Sequence, residues 1–255
     1  MHLLDVKGVT KHFGGIKAIE DVSFKIQQES IVSIIGPNGA GKTTLFNCLT
    51  GLASVTKGSI TFMDAAISGL PAHKILEAGI ARTFQNIRLF SDMSAIENVM
   101  VAQHSKIKYG FASAALRTAG FRKSELETRQ KAFEYLELSG IDSFADLPAN
   151  SLSYGNQRRL EIARALAAEP KLILLDEPTA GMNPSETSEV MTLIKRIREL
   201  GKTVILIEHD MKLVMGISDR IVVLDHGVKI SEGTPDEVRT DPMVIEAYLG
   251  KEAAH

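Results

Sequence analysis

The chain alternates short apolar segments with segments of helical periodicity. The apolar segments are rich in valine and isoleucine and occupy Ile31–Ile35, Leu172–Leu175, Thr203–Ile207 and Arg220–Leu224. Runs of this kind are typical of strands buried on both faces, and their alternation with helices is typical of a parallel sheet covered by helices. The pattern therefore predicts an α/β core.

The N-terminal part follows a different pattern. Shorter runs with more alternation between apolar and polar residues occupy Leu3–Val9, Val22–Ile26 and Ser59–Phe62, with glycine, lysine and aspartate between them. Alternation over so few residues is typical of strands with one exposed face. We therefore predict an antiparallel β patch in this region.

A helical insert interrupts the strands. Strand-like segments are missing between about residues 104 and 168. Within this stretch, a helical pattern at residues 125–138 places four apolar side chains on one side of an amphipathic helix, namely Leu126, Ala132, Phe133 and Leu136. The sequence has no clear repeat or flexible linker, so we predict one domain that contains a helical subdomain.

Composition narrows the possible domain organisation, partners and cellular location of the protein. The 255 residues suffice for one large domain, which we divide into an α/β core (residues 1–86 and 169–255) and a helical subdomain (residues 87–168). Lysine and arginine total 29 against 31 aspartate and glutamate, a net charge of −2 that disfavours nucleic acid as a partner. A single cysteine, Cys48, the lack of a secretory leader pattern and the lack of a long apolar run favour the cytosol.

A phosphate-binding motif follows the first predicted core strand. The pattern G-x-x-x-x-G-K-[ST] is matched by Gly36, Pro37, Asn38, Gly39, Ala40, Gly41, Lys42 and Thr43, and we include the next residue, Thr44, as a nucleotide contact. The glycines let several backbone N–H groups face one anion at a helix N-terminus. Lys42 would span the β- and γ-phosphates, and the Thr43 hydroxyl would bind Mg²⁺. The strand-loop-helix context favours this interpretation over a glycine-rich turn with an incidental Lys-Thr pair.

Two carboxylates end another predicted core strand. Asp176 and Glu177 stand where a parallel sheet presents its ligands. Asp176 could bind Mg²⁺ directly or through water, and Glu177 could orient the water that attacks the γ-phosphate. Alone, the pair is equally consistent with an acidic turn before Pro178, but together with the phosphate loop it predicts hydrolysis.

Between these motifs lies Leu152-Ser-Tyr-Gly-Asn-Gln157, and the order and spacing of the three motifs resemble the ATP-binding cassette family. The family's usual string is Leu-Ser-Gly-Gly-Gln, whereas here Tyr154 replaces the first glycine and an extra residue precedes Gln157. The resemblance implies that Ser153, Gly155 and Gln157 bind ATP held by a second cassette. Without the resemblance, an ordinary helix capped by Ser153 is the simpler interpretation.

Three further positions match the family one by one. Gln85 matches the glutamine that contacts Mg²⁺ and links the core to the helical part, and His209 matches the catalytic histidine that contacts the γ-phosphate. Phe13 matches the aromatic residue that stacks on adenine. Each has a plainer alternative, respectively a surface glutamine, a structural histidine at a strand end and an aromatic residue in a turn.

The loop after the acidic pair departs from the family pattern. Where the family has Ser-Ala-Leu-Asp, this chain has Ala180-Gly-Met-Asn183, so an amide replaces the carboxylate. Asn183, Pro184 and Glu186 also match an N-cap, a first-turn proline and a capping-box glutamate, which would open a helix over Ser185–Leu200. The sequence supports a cap and a contact role equally.

Several strings are similar to those in the ATPase subunits of branched-chain amino-acid importers. They are Leu152–Gly155, Glu177–Pro184, Ile207–Met211, Glu232–Val238 and Val244–Leu249. The similarity implies an ATPase on the cytoplasmic face of the cell membrane, where multi-span permeases and a second cassette, identical or not, are its partners. A periplasmic or extracellular solute-binding protein would be an indirect partner. The many basic residues over Lys106–Lys131 favour a solvated face over a lipid-binding one.

Three other classes of nucleotide-binding protein are alternatives to an importer ATPase. The ATPase of an exporter for lipid or lipopolysaccharide has the same catalytic parts and differs chiefly in its membrane partner. A soluble, non-transport cassette ATPase would usually show two cassettes, a long coiled coil or a basic surface, and this sequence has none of them. A nucleotide kinase sharing only the phosphate loop would not need Gln85, Ser153 and His209 in this order.

Overall fold

The computed structural model describes residues 2–103 and 119–252, without the side chains of residues 119–122 and 249–252. Much of the predicted basic insert, including Lys106, Lys108, Arg117 and the Arg122 side chain, therefore lies outside the described part. The described strands are β1 (His2–Phe13), β2 (Ile16–Gln27), β3 (Ile31–Ile35), β4 (Lys57–Phe62), β5 (Ala65–Ala66), β6 (Ile80–Arg82), β7 (Leu172–Asp176), β8 (Thr203–Ile207), β9 (Arg220–Asp225) and β10 (Val228–Gly233).

Helices separate and flank these strands. The described α-helices are α1 (Lys42–Leu49), α2 (Ala72–Ala78), α3 (Ala95–Gln103), α4 (Ala119–Leu138), α5 (Tyr154–Ala167), α6 (Pro184–Glu199), α7 (Met211–Ile217), α8 (Pro235–Thr240) and α9 (Pro242–Glu252). No helix in residues 2–103 or 119–252 combines the length and apolar character that crossing a bilayer requires.

The N-terminal strands form the predicted antiparallel patch. The four-stranded sheet has the order β2-β1-β4-β5, and β1 pairs in antiparallel register with both β2 and β4. The strands extend beyond the predicted runs because their charged, outward-facing residues hide the strand pattern at the ends. Apolar side chains from this sheet, such as Leu4 and Val6, join those of β3 in one buried cluster.

The predicted core strands form the centre of a six-stranded sheet in the order β10-β9-β3-β8-β7-β6. All neighbouring pairs are parallel except β9 and β10, which form an antiparallel hairpin at one edge. Strand β6 is not predictable from the sequence pattern, because three residues are too few to show periodicity. The parallel register aligns the ends of β3, β7 and β8, since Ile207 pairs with both Ile34 and Asp176.

A separate cluster of buried residues holds α3, α4 and α5 together. It includes Val99, Ala132, Leu136 and Leu160. The prediction that Leu126 shares this buried face is wrong, because its side chain is 70% exposed. At 100° per residue Leu126 lies about 120° around the helix from Ala132, outside the buried row whose residues recur every fourth position. The boundaries proposed for the helical subdomain, residues 87 and 168, stay a prediction.

Candidate functional site

The phosphate loop connects β3 directly to α1. Gly41 caps α1 in a left-handed conformation (φ 97°), and Lys42 is the first residue of the helix. The Lys42 Nζ donates hydrogen bonds to the carbonyl oxygens of Gly36 (2.6 Å) and Pro37 (3.0 Å). Gly36 must be glycine, because a Cβ there would lie 2.0 Å from the Leu224 carbonyl oxygen. The loop thus curls around the lysine ammonium group.

The hairpin turn between β9 and β10 braces this loop. His226 and Gly227 both have positive φ (45° and 83°), as a two-residue turn of type I′ requires. The Gly227 N–H donates to the Ala40 carbonyl (3.2 Å), and the Gly227 carbonyl accepts from the Glu20 N–H (2.8 Å). This turn was not among the predicted site residues, because a single histidine in a hairpin carries no motif.

A cleft of about 480 Å³ opens above the phosphate loop. Its walls bring together residues from the phosphate loop, β2 and the hairpin turn with one candidate for metal binding and one for catalysis. They are Ile16, Lys17, Ala18, Asn38, Gly39, Ala40, Gly41, Lys42, Thr43, Thr44, Gln85, Glu177 and His226. Most of the residues predicted to bind nucleotide in the phosphate loop therefore share one cavity with Gln85 and Glu177.

Other predicted contacts do not line this cleft. They are Phe13, Gly36, Pro37, Ser153, Gly155, Gln157, Asp176 and His209. Phe13 ends β1 with its side chain half exposed, and the Lys11 Nζ lies 4.8 Å from the ring centroid. Phe13 pairs with Ile16, which lines the cleft, so its exposed ring is available for stacking next to that wall.

Glu177 and Gln85 contact each other at the cleft wall. The Gln85 Nε2 donates to the Glu177 Oε2 at 3.0 Å, although the residues are 92 positions apart in the sequence. Glu177 has a positive φ of 48°, and its N–H donates to the Ile207 carbonyl at the end of β8. The turn after β7 therefore directs this carboxylate towards the phosphate loop.

Asp176 forms an ion pair with Arg82, which was not among the predicted site residues. The Arg82 Nη2 donates to the Asp176 Oδ2 at 2.7 Å, and both side chains are buried. The guanidinium group also donates to the Asn47 Oδ1 and lies near the rings of Phe46 and Phe84. No spacing rule marks Arg82 in the sequence.

Glu208 fixes the end of β8. It is buried, and its Oε1 accepts hydrogen bonds from the Thr179 Oγ1 (2.7 Å) and N–H (3.1 Å). Burial raises the pKa of this carboxyl, and the bonds from Thr179 act in the opposite direction. The neighbouring His209 side chain is 67% exposed, with its Nδ1 3.9 Å from the Glu208 Oε2. His209 therefore extends outward from a rigid strand end.

The third motif opens α5, which begins at Tyr154. Ser153 is the N-cap, and its side chain accepts from the Asn156 N–H at 3.3 Å. The Gln157 Nε2 donates back to the Leu152 carbonyl at 3.0 Å. The helix cap is thus established, whereas the proposed contact of these residues with a second cassette stays a prediction.

This helix start packs against the loop that follows the acidic pair. A Cβ on Gly155 would lie 2.6 Å from the Glu186 Oε1, and one on Gly181 would lie 3.5 Å from the Tyr154 ring. Tyr154, which replaces a family glycine, therefore covers a glycine of the neighbouring loop. A side chain at Gly155 would therefore have to displace the Glu186 side chain, whose other oxygen accepts from the Asn183 N–H.

A buried ion pair joins α5 to the segment that carries Gln85. Arg158 and Glu161 are 0% and 1% exposed, and the Arg158 Nη1 lies 2.8 Å from the Glu161 Oε2. The guanidinium group also donates to the carbonyls of Phe84 and Gln85, while Glu161 accepts from the N–H groups of Phe84 and Arg88. Burial raises the pKa of Glu161, and Arg158 acts in the opposite direction. The pair clamps the backbone around Gln85 to the start of α5.

The capping box predicted at Asn183 is present. The Asn183 Oδ1 accepts from the Glu186 N–H (3.0 Å), and the Glu186 Oε2 accepts from the Asn183 N–H (3.1 Å). Helix α6 begins at Pro184, one residue before the predicted start. The structure thus accounts for Asn183 as a helix cap.

Replacing Asn183 with alanine is expected to lower the free energy of unfolding by about 1 kcal/mol, because the Glu186 N–H loses its acceptor. Urea denaturation followed by circular dichroism would measure the change. Ser188→Ala, on the exposed face of the same helix, is the control and should leave stability unchanged. Equal stability of the Asn183→Ala variant and the unmodified protein would contradict the capping role.

Comparison with known proteins gives consistent matches over nearly the full chain. A family model described as ABC transporter matches residues 19–180, and one described as branched-chain amino acid ATP-binding cassette transporter matches residues 228–254. The chain is 50% identical to BraF, a high-affinity branched-chain amino acid transport ATP-binding protein of Pseudomonas aeruginosa, over 98% of each chain. It is 49% identical to the corresponding LivG protein of Escherichia coli K12, again over 98% of each chain.

Solved structures of ATP-binding cassettes also resemble this structure over most of the chain. A nucleotide-free ATP-binding cassette from an ABC transporter superposes with a TM-score of 0.85 at 30% identity, covering 97% of this chain and 99% of that one. A cassette in its ADP conformation gives a TM-score of 0.85 at 31% identity, covering 98% and 99%. A dimeric cassette with ADP and Pi gives 0.77 at 30% identity, covering 91% and 98%.

Proposed function

The chain belongs to the ATP-binding cassette transporter family and is one of its ATPases, and from this premise we propose that it powers the import of branched-chain or other hydrophobic amino acids. The observation that carries the proposal is the 50% identity to a branched-chain amino acid transport protein over 98% of each chain. The match of residues 228–254 to a family model of such transporters supports it further.

In the proposed site, ATP lies in the cleft above the phosphate loop. Backbone N–H groups at the start of α1 face the phosphates, Lys42 neutralises the β- and γ-phosphates, and Phe13 stacks on the adenine. Mg²⁺ would be held by Thr43, Gln85 and Asp176, whose hydroxyl, amide and carboxylate oxygens are the donors that this ion prefers. The bound ion would neutralise charge on the phosphates.

Hydrolysis requires an oriented water molecule at the γ-phosphate. We assign this role to Glu177, because its carboxylate lies in the cleft wall and is fixed by Gln85 at 3.0 Å. His209 would contact the γ-phosphate from the end of β8, with Glu208 holding the backbone beneath it. Both residues leave strand ends that meet at the phosphate loop, and this convergence supports the assignment.

Two cassettes would close around ATP, so that each ATP lies between the phosphate loop of one cassette and the start of α5 of the other. Ser153, Gly155 and Gln157 at the start of α5 would meet the nucleotide of the second cassette, since a helix N-terminus favours an anion. A two-fold interface needs both surfaces on each chain, and this chain carries both. A structurally similar cassette is dimeric, which supports the proposal.

We further propose that multi-span permeases hold the ATPase at the cytoplasmic face of the membrane and that a solute-binding protein delivers the amino acid to them. An exporter ATPase with the same nucleotide site is the alternative. The match at residues 228–254 favours the importer, because it lies outside the nucleotide motifs that both classes share.

Affinity purification of the Glu177→Gln variant from gently solubilised native membranes, with ATP present, tests the proposed partners. Slow hydrolysis should preserve the closed complex, so mass spectrometry should identify permeases, a second cassette and an amino-acid-binding protein. The Lys42→Ala variant, which should not bind ATP, is the matched control for closure. Recovery of an exporter permease, or of soluble proteins alone, would overturn the importer assignment.

A further inference from the structure

A buried arginine links the helix of the phosphate loop to the acidic strand end. Arg82 is the last residue of β6, and its guanidinium group reaches both α1 and the end of β7. The Nη1 donates to the Asn47 Oδ1 (2.7 Å) and the Thr50 Oγ1 (3.3 Å), and the Nη2 donates to the Asp176 Oδ2 (2.7 Å). The side chains of Arg82 and Asp176 are 6% and 4% exposed. Arg82 thus joins the two elements that carry the proposed phosphate and metal contacts.

These contacts place Arg82 next to the proposed metal site. Asn47 follows Thr43 by four residues on α1, so their side chains lie on one face of that helix. Thr43 and Asp176 are two of the proposed Mg²⁺ ligands. Arg82 therefore contacts one proposed ligand directly and the helix face of the other one turn away.

Burying this guanidinium group is costly. Its Nε is shielded from water and has no hydrogen-bond partner among the described residues, and an unsatisfied buried donor opposes folding. Removing the arginine, however, would leave the buried Asp176 carboxylate without a charged partner that now contacts it, a change that is typically costlier still. The charge of Arg82 is therefore needed to balance Asp176 whenever no metal ion does so.

The same positive charge acts on any metal ion that Asp176 would bind. A cation in contact with a buried carboxylate weakens the attraction of that carboxylate for a second cation. A nucleotide changes this balance, because its phosphate oxygens add negative charge and are ligands that Mg²⁺ prefers. Asp176 would then bind Mg²⁺ together with a nucleotide but not before it.

We propose that Arg82 is a positioning residue that acts as the resident counter-ion of Asp176 and prevents this carboxylate from binding Mg²⁺ until a nucleotide is present. The inference rests on the Mg-ATP site of the proposed function. It adds an order to binding, since ion and nucleotide enter as one unit. The acidic pair accordingly holds no ion between rounds of hydrolysis.

Calorimetric titration with Mg²⁺ alone, and thermal melting with and without Mg²⁺, test the inference on nucleotide-free protein. The unmodified protein should not respond to Mg²⁺ at concentrations that saturate Mg-ATP binding. Arg82→Met leaves the carboxylate without its counter-ion, so it should melt at a lower temperature, and Mg²⁺ alone should restore part of the loss. Its Mg²⁺ affinity should exceed that of the unmodified protein by about tenfold or more, the usual weight of one charged hydrogen bond.

Control variants separate this effect from a loss of packing. Arg82→Met combined with Asp176→Asn should regain stability and lose the response to Mg²⁺, because the unpaired carboxylate is gone. Arg220→Met breaks a pair with Glu232 outside the cleft and should not respond to Mg²⁺. Arg82→Gln removes the charge but keeps a polar amide, and it replaces Arg82→Met if that variant does not fold.

If Arg82 only braced α1 against β7, Arg82→Met would lose the same melting temperature with and without Mg²⁺, and this result would overturn the inference. Binding of Mg²⁺ alone to the unmodified protein, abolished by Asp176→Asn, would also overturn it and requires no change at Arg82. In both cases Mg-ATP would still bind, and the proposed function would stand. Failure of the unmodified protein to bind Mg-ATP would instead overturn the proposed site.

Discussion

Replacing Glu177 with glutamine is expected to lower steady-state ATP hydrolysis by about 10²- to 10⁴-fold while ATP binding stays close to normal. Loss of a general base typically has this effect on rate. Glutamine has nearly the same shape as glutamate, and its amide oxygen can still accept from the Gln85 Nε2 that now contacts Glu177. The phosphate loop and Lys42 are untouched, so the groups proposed to bind the phosphates remain.

Phosphate release and equilibrium binding of Mg-ATP would measure the two properties separately. Glu189→Gln, which removes a half-exposed carboxylate from α6, controls for the loss of one negative charge and should hydrolyse ATP normally. Lys42→Ala should lose ATP binding as well as hydrolysis. Hydrolysis by Glu177→Gln at a rate near that of the unmodified protein would remove Glu177 from the catalytic role.

Replacing Arg158 with alanine is expected to lower the free energy of unfolding by about 3–5 kcal/mol. The change leaves the fully buried Glu161 carboxylate without its ion-pair partner, and removing one member of a buried pair typically has this cost. The carbonyls of Phe84 and Gln85 also lose a donor. Because these carbonyls belong to the Gln85 segment, ATP hydrolysis by the folded fraction should fall too.

Urea denaturation would measure the stability change. Arg158→Lys should be intermediate, because an ammonium group restores the charge but cannot reach both carbonyls and Glu161 as the flat guanidinium does. Arg129→Ala, which breaks the exposed pair with Asp146, should have no measurable effect. If Arg158→Ala were as stable as Arg129→Ala, the pair would not clamp the segment.

Much of the fold could be predicted from the sequence because its signals are local. A strand buried on both faces is largely apolar, so Ile31–Ile35 and Thr203–Ile207, with one polar residue each, are visible as nearly continuous apolar runs. The cap at Asn183 is equally local, since all its partners lie within three residues. The phosphate loop is recognisable because its backbone geometry demands glycine at fixed spacing.

The remaining features depend on contacts between distant parts of the chain. Arg82 meets Asp176 across 94 positions, and Arg158 meets the Phe84 carbonyl across 74, so neither partner is marked by spacing. Leu126 was wrongly assigned to the buried face of α4, because one apolar residue outside the buried row still fits a loose helical pattern. The roles of Glu177, His209 and Ser153 remain proposals, since a second cassette and ATP would complete the site.

The strand order has a consequence for how the protein is made. The phosphate loop follows β3 and the acidic pair follows β7, but these strands do not pair with each other, because β8 lies between them. On a ribosome, both motifs are synthesised before Thr203–Ile207. A nascent chain that stops short of β8 carries both halves of the catalytic sequence without the strand that holds them side by side. Competence to hydrolyse ATP should therefore arise late in synthesis and all at once.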